Sequence, residues 1–299
     1  MVVCAALTVG CSSFGQTAAR KPAGTRYSPA FIREKELVVF PFEGDQVSID
    51  LPAKLGGVAF SSNGRVIYGI SRSSGEAKRL VAVTIRPSGV SQVPGSEGFN
   101  KIDGLAVDAT AHKAVVSAIY EHDGISDCGL FELSMPGGAV KKILDNLSSS
   151  CDFLSSWTDL SVSGDGMRMV GTAGRGQVGV VNLSERRVEK IWPGTAAWWS
   201  PDGKWIAALN FSSHLEIELI RASDLSVQRR LGAGAARLQW SPDSRYLLLV
   251  ASGLCGLGTG YFGTLQTLDV ETGERRLVSS SKCKVNLTTT GWVDDAVLR

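Results

Sequence analysis

Residues able to do chemistry are few in this chain. It has 299 residues but only three histidines and six cysteines. His112 falls in a turn, and His122 and His214 fall in loops expected at the other end of the same fold. No serine or cysteine stands in an elbow context with a recognisable base, so a Ser-His-Asp type of hydrolysis finds no support and no catalytic residue is assigned. Asp202 and Asp243 follow prolines in tight turns and read as turn formers. The run Glu121-His122-Asp123-Gly124-Ile125-Ser126-Asp127 offers carboxylates and an imidazole, but without the ordered spacing of a calcium loop. It reads as a solvated loop. No metal site and no cofactor is called for.

The cysteines carry the clearest pattern. Cys4 and Cys11 lie in an apolar N-terminal run, whereas Cys128, Cys151, Cys255 and Cys283 lie in the body of the chain. Cys128 and Cys255 each fall between the second and third strands of a repeating unit, and Cys151 and Cys283 each fall after the fourth. Strands that alternate up and down bring both places to one face. Two bridges within units, Cys128 to Cys151 and Cys255 to Cys283, are therefore predicted. In the chain-entropy picture each would contribute about 3–3.5 kcal/mol. Four buried thiols are the alternative; a metal site is disfavoured because no Cys-x-x-Cys spacing occurs. Disulfides imply an oxidising compartment.

The unit that positions these residues is a hairpin. Trp198-Trp199-Ser200-Pro201-Asp202-Gly203-Lys204-Trp205-Ile206 reads as strand, tight turn and strand. Pro201 pre-sets its φ and Gly203 accepts a positive one. The pattern returns at Trp240-Ser241-Pro242-Asp243-Ser244-Arg245-Tyr246 and, more faintly, around Phe60, Val107, Val162 and Trp292. The gaps between these six positions are 47, 55, 37, 41 and 52 residues. Such spacing fits one four-stranded propeller blade per unit. The last unit holds only residues 290–298, and an outer hairpin at 37–51 has no inner pair. The prediction is an all-β, six-bladed propeller of four-stranded antiparallel blades, its last blade closed by strands from 37–51 and 290–298. A five-bladed ring with a loose N-terminal ribbon is the alternative.

The Trp-Ser-Pro-Asp-Gly-Lys and Trp-Ser-Pro-Asp-Ser-Arg units resemble the WD40-like propeller repeats of the TolB family. Related repeats occur in the propeller domains of prolyl oligopeptidases and dipeptidyl peptidases. The resemblance runs over roughly residues 35–299 and implies the propeller fold. The peptidases' Gly-x-Ser-x-Gly elbow has no counterpart in this sequence.

Three regions result: a signal-like segment at 1–19, a flexible basic linker at 20–35, and one propeller domain at 36–299. The apolar run Val2 to Gly10 resembles the core of a secretory signal. Cleavage to a soluble protein, lipid anchoring at Cys11 and a buried N-terminal strand all stay open. The expected place is periplasmic or extracellular, as a monomer. The net charge of +2 argues against nucleic acid as a partner, and no apolar run is long enough for a transmembrane helix.

Binding is expected on the cysteine face, where the segments entering the inner strands point at the channel. The candidates are Lys101, Asp103, Trp157, Asp159, His214 and Arg237. Trp157 reads as an exposed recognition aromatic, with packing under its own loop as the alternative. The leading functional reading is a non-catalytic envelope module that binds a protein or peptide. A lactonase-like or sugar-dehydrogenase-like propeller enzyme is the alternative; it would need Asn100, Asp103 and Asp159 to converge on a metal or cofactor. A structural scaffold piece is the third reading.

Overall fold

The computed structural model describes residues 26–298, apart from 34, 42–44, 62, 72–78, 109, 147–156, 175, 211–215, 233–234, 236, 256–259 and 282–289. The signal-like segment, His214, Cys151 and Cys283 therefore lie outside the described residues.

The described residues form 24 strands in six four-stranded sheets. The chain opens with β1 (Tyr27–Arg33), β2 (Glu36–Val39) and β3 (Val47–Asp50). The first complete blade is β4 (Leu55–Phe60), β5 (Val66–Ser71), β6 (Leu80–Thr84) and β7 (Gly89–Gln92). The second is β8 (Phe99–Val107), β9 (Lys113–His122), β10 (Ile125–Ser134) and β11 (Val140–Asp145). The third runs β12 (Trp157–Val162), β13 (Arg168–Ala173), β14 (Gln177–Asn182) and β15 (Arg187–Pro193). The fourth runs β16 (Ala196–Trp199), β17 (Trp205–Asn210), β18 (Glu216–Arg221) and β19 (Ser226–Leu231). The fifth is β20 (Arg237–Trp240), β21 (Tyr246–Cys255), β22 (Gly260–Asp269) and β23 (Arg275–Ser281). The last strand, β24 (Thr290–Asp294), joins the sheet that began the chain, in the order β24-β1-β2-β3.

The sixth blade is thus shared by both ends of the chain, as the sequence predicts, and it closes the ring. The division of strands differs from expectation. Three strands come from the N-terminal side and one from the C-terminal side, because β1 occupies residues assigned to the flexible linker. Two prolines and the basic surroundings of that segment hide its pattern. Its side chains are nevertheless apolar where it counts: Tyr27, Ala30, Phe31 and Ile32 are all buried. Pro29 lies one residue outside the β1–β2 register, which starts at Ala30↔Val39, so its missing N–H breaks no bond of that ladder. The predicted final strand is instead a 3-10 turn at Asp295–Leu298. It forms because Asp294 Oδ1 accepts the Ala296 N–H at 3.0 Å. The Ser28 hydroxyl donates to Asp295 Oδ1 at 2.5 Å and ties the two chain ends together.

The core lies between blades rather than in one centre. Six buried apolar clusters fill the six blade interfaces. Ile67 and Val83 of the first blade pack on Leu37 and Val39 of the closing blade, for example. Such radial burial leaves the inner strands β4, β8, β12, β16, β20 and β24 around a central channel.

Candidate functional site

The ends of the blades form two faces with different chemistry. On one face lie the turns between first and second strands, and four of them share one hydrogen-bonded module. Ser61, Ser163, Ser200 and Ser241 donate their hydroxyls to Asn63, Asp165, Asp202 and Asp243 at 2.7, 2.6, 2.6 and 2.5 Å. Each serine oxygen also accepts the N–H that starts the next strand, at Val66, Arg168, Trp205 and Tyr246, at 2.8–2.9 Å. The Asn or Asp accepts a further backbone N–H two residues on. A residue with positive φ completes the turn: Gly64 (65°), Gly166 (69°), Gly203 (72°) and Ser244 (59°). In the second blade Asp108 takes over, accepting from His112 and Lys113 N–H at 2.9 and 3.2 Å. The Ser163 hydroxyl, then the Met167 N–H, hold the Asp165 carboxyl below the usual carboxylate range. The carboxylates of this face are held in backbone geometry.

On the opposite face the channel opens between the starts of the inner strands. It encloses about 590 Å³ and its lining includes Asp103, Thr158, Asp159, Arg237 and Gln239. Irregular backbone delivers the two acids. In β8 the register against β9 shifts between Ile102 and Gly104, so Asp103 is the extra residue of a bulge. In β12 the register shifts between Thr158 and Ser161, and Asp159 adopts φ 48°. Aspartate tolerates that left-handed conformation better than most residues. β4 has a shift at the equivalent place, where Gly57 takes φ 55°. Bulges re-aim side chains beside functional sites, and here neighbouring blades bring two carboxylates to the channel.

Two cations stand with them. Lys101 Nζ lies 3.0 Å from Asp103 Oδ2, whose side chain is 9% exposed. Arg237 Nη1 lies 4.0 Å from Asp159 Oδ1, a charge contact joining the third blade to the fifth past the small Ala196 and Ala197 of the fourth. Both members stay partly exposed, which keeps the contact weak and salt-sensitive. The structure therefore gathers Asp103, Asp159 and Arg237 at the channel, with Lys101 beside them. Among the described residues no three His, Cys, Asp or Glu side chains are grouped as a metal would require.

Trp157 does not join this group. It is fully buried, packed so closely on Gly179 that a Cβ there would meet its ring at 2.7 Å. The bulge explains the outcome: the register shift between Thr158 and Ser161 turns Asp159 to the channel and leaves Trp157 facing the interface with the second blade, with Ala106, Val115 and Leu130. The cysteine loop is also corrected. Residues 121–127 form the end of the β9–β10 hairpin, turning at Asp123 and Gly124 with φ 51° and 76°. Cys128 lies within β10 opposite Ile119 and is disulfide-bonded. The glycine-rich stretch near Cys255 likewise continues as strand, with Cys255 paired to Gly260.

Six radial sheets around a channel define a six-bladed β-propeller. The fold is similar to that of TolB from Acinetobacter baumannii, with a TM-score of 0.63 and 12% sequence identity. The match covers 89% of this chain and 66% of that one. At this identity the likeness concerns the fold. No protein-family model and no curated protein matches the sequence.

Proposed function

We propose that the chain is an exported, non-catalytic propeller that binds a protein or peptide at the channel mouth bearing Asp103, Asp159 and Arg237. The observation that carries this reading is the pair of inner-strand bulges that turn carboxylates of adjacent blades toward one opening. The channel volume falls in the roughly 300–1,000 Å³ range of ligand pockets, enough for a short segment of a partner and too little for a folded domain. Export is supported by the signal-like N-terminal run and by the paired cysteine spacing, read as Cys128 with Cys151 and Cys255 with Cys283. No described helix is long and apolar enough to cross a membrane. Attachment through Cys11 and a monomeric state belong to the same reading.

The test is co-purification of a tagged full chain from intact cells. Recovered partners should be lost with Asp159→Lys or Arg237→Glu and kept with Lys204→Glu on the opposite face. Loss with Lys204→Glu alone would overturn the assignment of faces.

A further inference from the structure

The turn face departs from its own repeat at the start of β13. The residue whose N–H the turn serine accepts is Val66, Trp205 or Tyr246 in the first, fourth and fifth blades, but Arg168 in the third. Val66, Trp205 and Tyr246 each pack into an interface with a neighbouring blade. The second blade has Lys113 at that place, paired with Glu132 at 3.5 Å. Arg168 lies on the same face of its strand as Val170, which packs with Trp199, Ile206 and Ala208 of the fourth blade. A guanidinium thus enters the interface between the third and fourth blades where the repeat favours an aliphatic or aromatic side chain. Beside it the blades part around a cavity of about 430 Å³. Arg168 and Asp165 line the cavity from the third blade, and Trp199, Arg221, Ala222 and Ser223 line it from the fourth. Its volume falls within the roughly 300–1,000 Å³ of small-molecule sites.

Arg168 is only partly engaged. Its Nη1 donates to the Ala222 carbonyl at 3.1 Å. Its Nε stands 3.8 Å from Glu189 Oε2, a charge contact too long for a hydrogen bond. Of the five N–H donors of a guanidinium, four therefore lack a hydrogen-bond partner among the described residues. Trp199, 4% exposed, has a buried Nε1 that also lacks one. The nearby carboxylate is committed to its own turn: Asp165 Oδ1 accepts the Ser163 hydroxyl at 2.6 Å and the Met167 N–H at 3.0 Å. The cavity wall is rich in donors and calls for a ligand that brings oxygen acceptors.

Charge decides which kind of oxygen. Arg221 pairs with Asp224 at 3.1 Å and donates to Gln228 at 2.6 Å, and Lys204 lies 3.4 Å from Asp202. Lys190 joins the same two blades by donating to the Leu225 carbonyl at 2.9 Å. The cations Arg168, Lys190, Lys204 and Arg221 are thus matched by Asp165, Glu189, Asp202 and Asp224. Such a balanced set has no net charge with which to hold a carboxylate or phosphate, and the two carboxylates nearest Arg168 repel one.

We infer that this cleft binds a neutral sugar. Its hydroxyl and ring oxygens accept from Arg168, its carbon skeleton lies against Ala222 and Trp199, and the exposed Ser223 stands at the rim. The site belongs to the turn face and is independent of protein binding at the mouth.

The probes are methyl β-glucoside and N-acetylglucosamine as neutral sugars, glucuronate as the anion and glucosamine as the cation. Each is titrated into the full chain and followed by saturation-transfer NMR. At least one neutral sugar should bind at least fivefold more tightly than either charged probe, with little change between 50 and 300 mM salt. Arg168→Met keeps the length of the side chain and removes its donors, and should weaken binding at least tenfold. Ser223→Trp fills the exposed rim and should weaken it as much. Thermal unfolding checks that each variant is folded; if Arg168→Met is not, Ser223→Trp decides alone. Absence of saturable binding by both neutral sugars, tightest binding of glucuronate, or unchanged binding in the folded variants would overturn the inference. Co-purification through Asp159 and Arg237 is read separately and stands or falls without it.

Discussion

The two faces of the disc use the same residue types to different ends. On the turn face, Ser200 and Asp202 close a ring of hydrogen bonds with each other and with the Lys204 and Trp205 backbone. On the channel-mouth face, Asp103 and Asp159 stand on bulges beside Lys101 and Arg237, Asp159 partly open to water and Asp103 largely covered. Repetition marks the first face and irregularity the second. A module repeated in blade after blade is explained by the need to build blades, whereas residues found in only two or three blades need another reason. Carboxylates on the turn face are thus structural, and those at the mouth are the candidates for recognition.

Substitutions on the turn face should therefore cost stability, and those at the mouth should not. The largest effect is expected at Gly64, whose φ is 65° and where an added Cβ would meet the Asp294 backbone N at 2.6 Å. The conformation alone costs about 1–3 kcal/mol, and the collision strikes the blade that closes the ring. Gly64→Ala should lower the thermal midpoint by several degrees. Ser241→Ala comes next: the buried hydroxyl serves Asp243 and the Tyr246 N–H, and its loss should cost about 1–3 kcal/mol by chemical denaturation.

A smaller contrast sharpens the argument within the repeat itself. Trp240 Nε1 donates to the Trp198 carbonyl of the neighbouring blade at 3.0 Å, and Trp292 Nε1 to that of Gln239 at 3.3 Å. Trp199, at the equivalent place, has a buried Nε1 with no acceptor among the described residues. Trp240→Phe should thus destabilise by about 1 kcal/mol, and Trp199→Phe by less, in matched urea titrations. At the mouth, Arg237→Ser should stay within about 0.5 kcal/mol of the parent.

Acid sensitivity provides the finest test. The Asp165 carboxyl is held below its ordinary range, first by the Ser163 hydroxyl and then by the Met167 N–H. Its stabilising effect is present above the unfolded carboxylate value and is lost as pH falls toward the folded one. Asn63 makes the same bonds in the first blade without titrating. Asp165→Asn should keep the turn and flatten the acid limb of the stability profile, as read by unfolding at pH 3 to 6.

The repeat made most of this fold legible. Pro201-Asp202-Gly203 and Pro242-Asp243-Ser244 announce turns through their own backbone preferences, and the six-blade count and the ring closure follow from the spacing. What stayed hidden had no periodic signal. β1 carries Pro29 and lies beside basic residues, so only its burial in the assembled ring identifies it as strand. Bulges at Asp103 and Asp159 are register events between two strands and leave no mark on one strand's sequence. Trp157 and Asp159 sit two residues apart in an extended strand, and the same bulge that turns Asp159 to the channel leaves Trp157 in the core. The long β9–β10 and β21–β22 hairpins hid for a simpler reason: Asp123 and Gly124 mark a turn, and Gly253 and Gly260 look like loop residues even where the ladder continues.

The division of labour between the faces is tested most directly by photo-crosslinkers placed singly at Thr158 at the mouth and at Lys204 on the turn face, in living cells. The account predicts discrete protein adducts from position 158 and none from 204. Adducts from 204 with a silent 158 would contradict it.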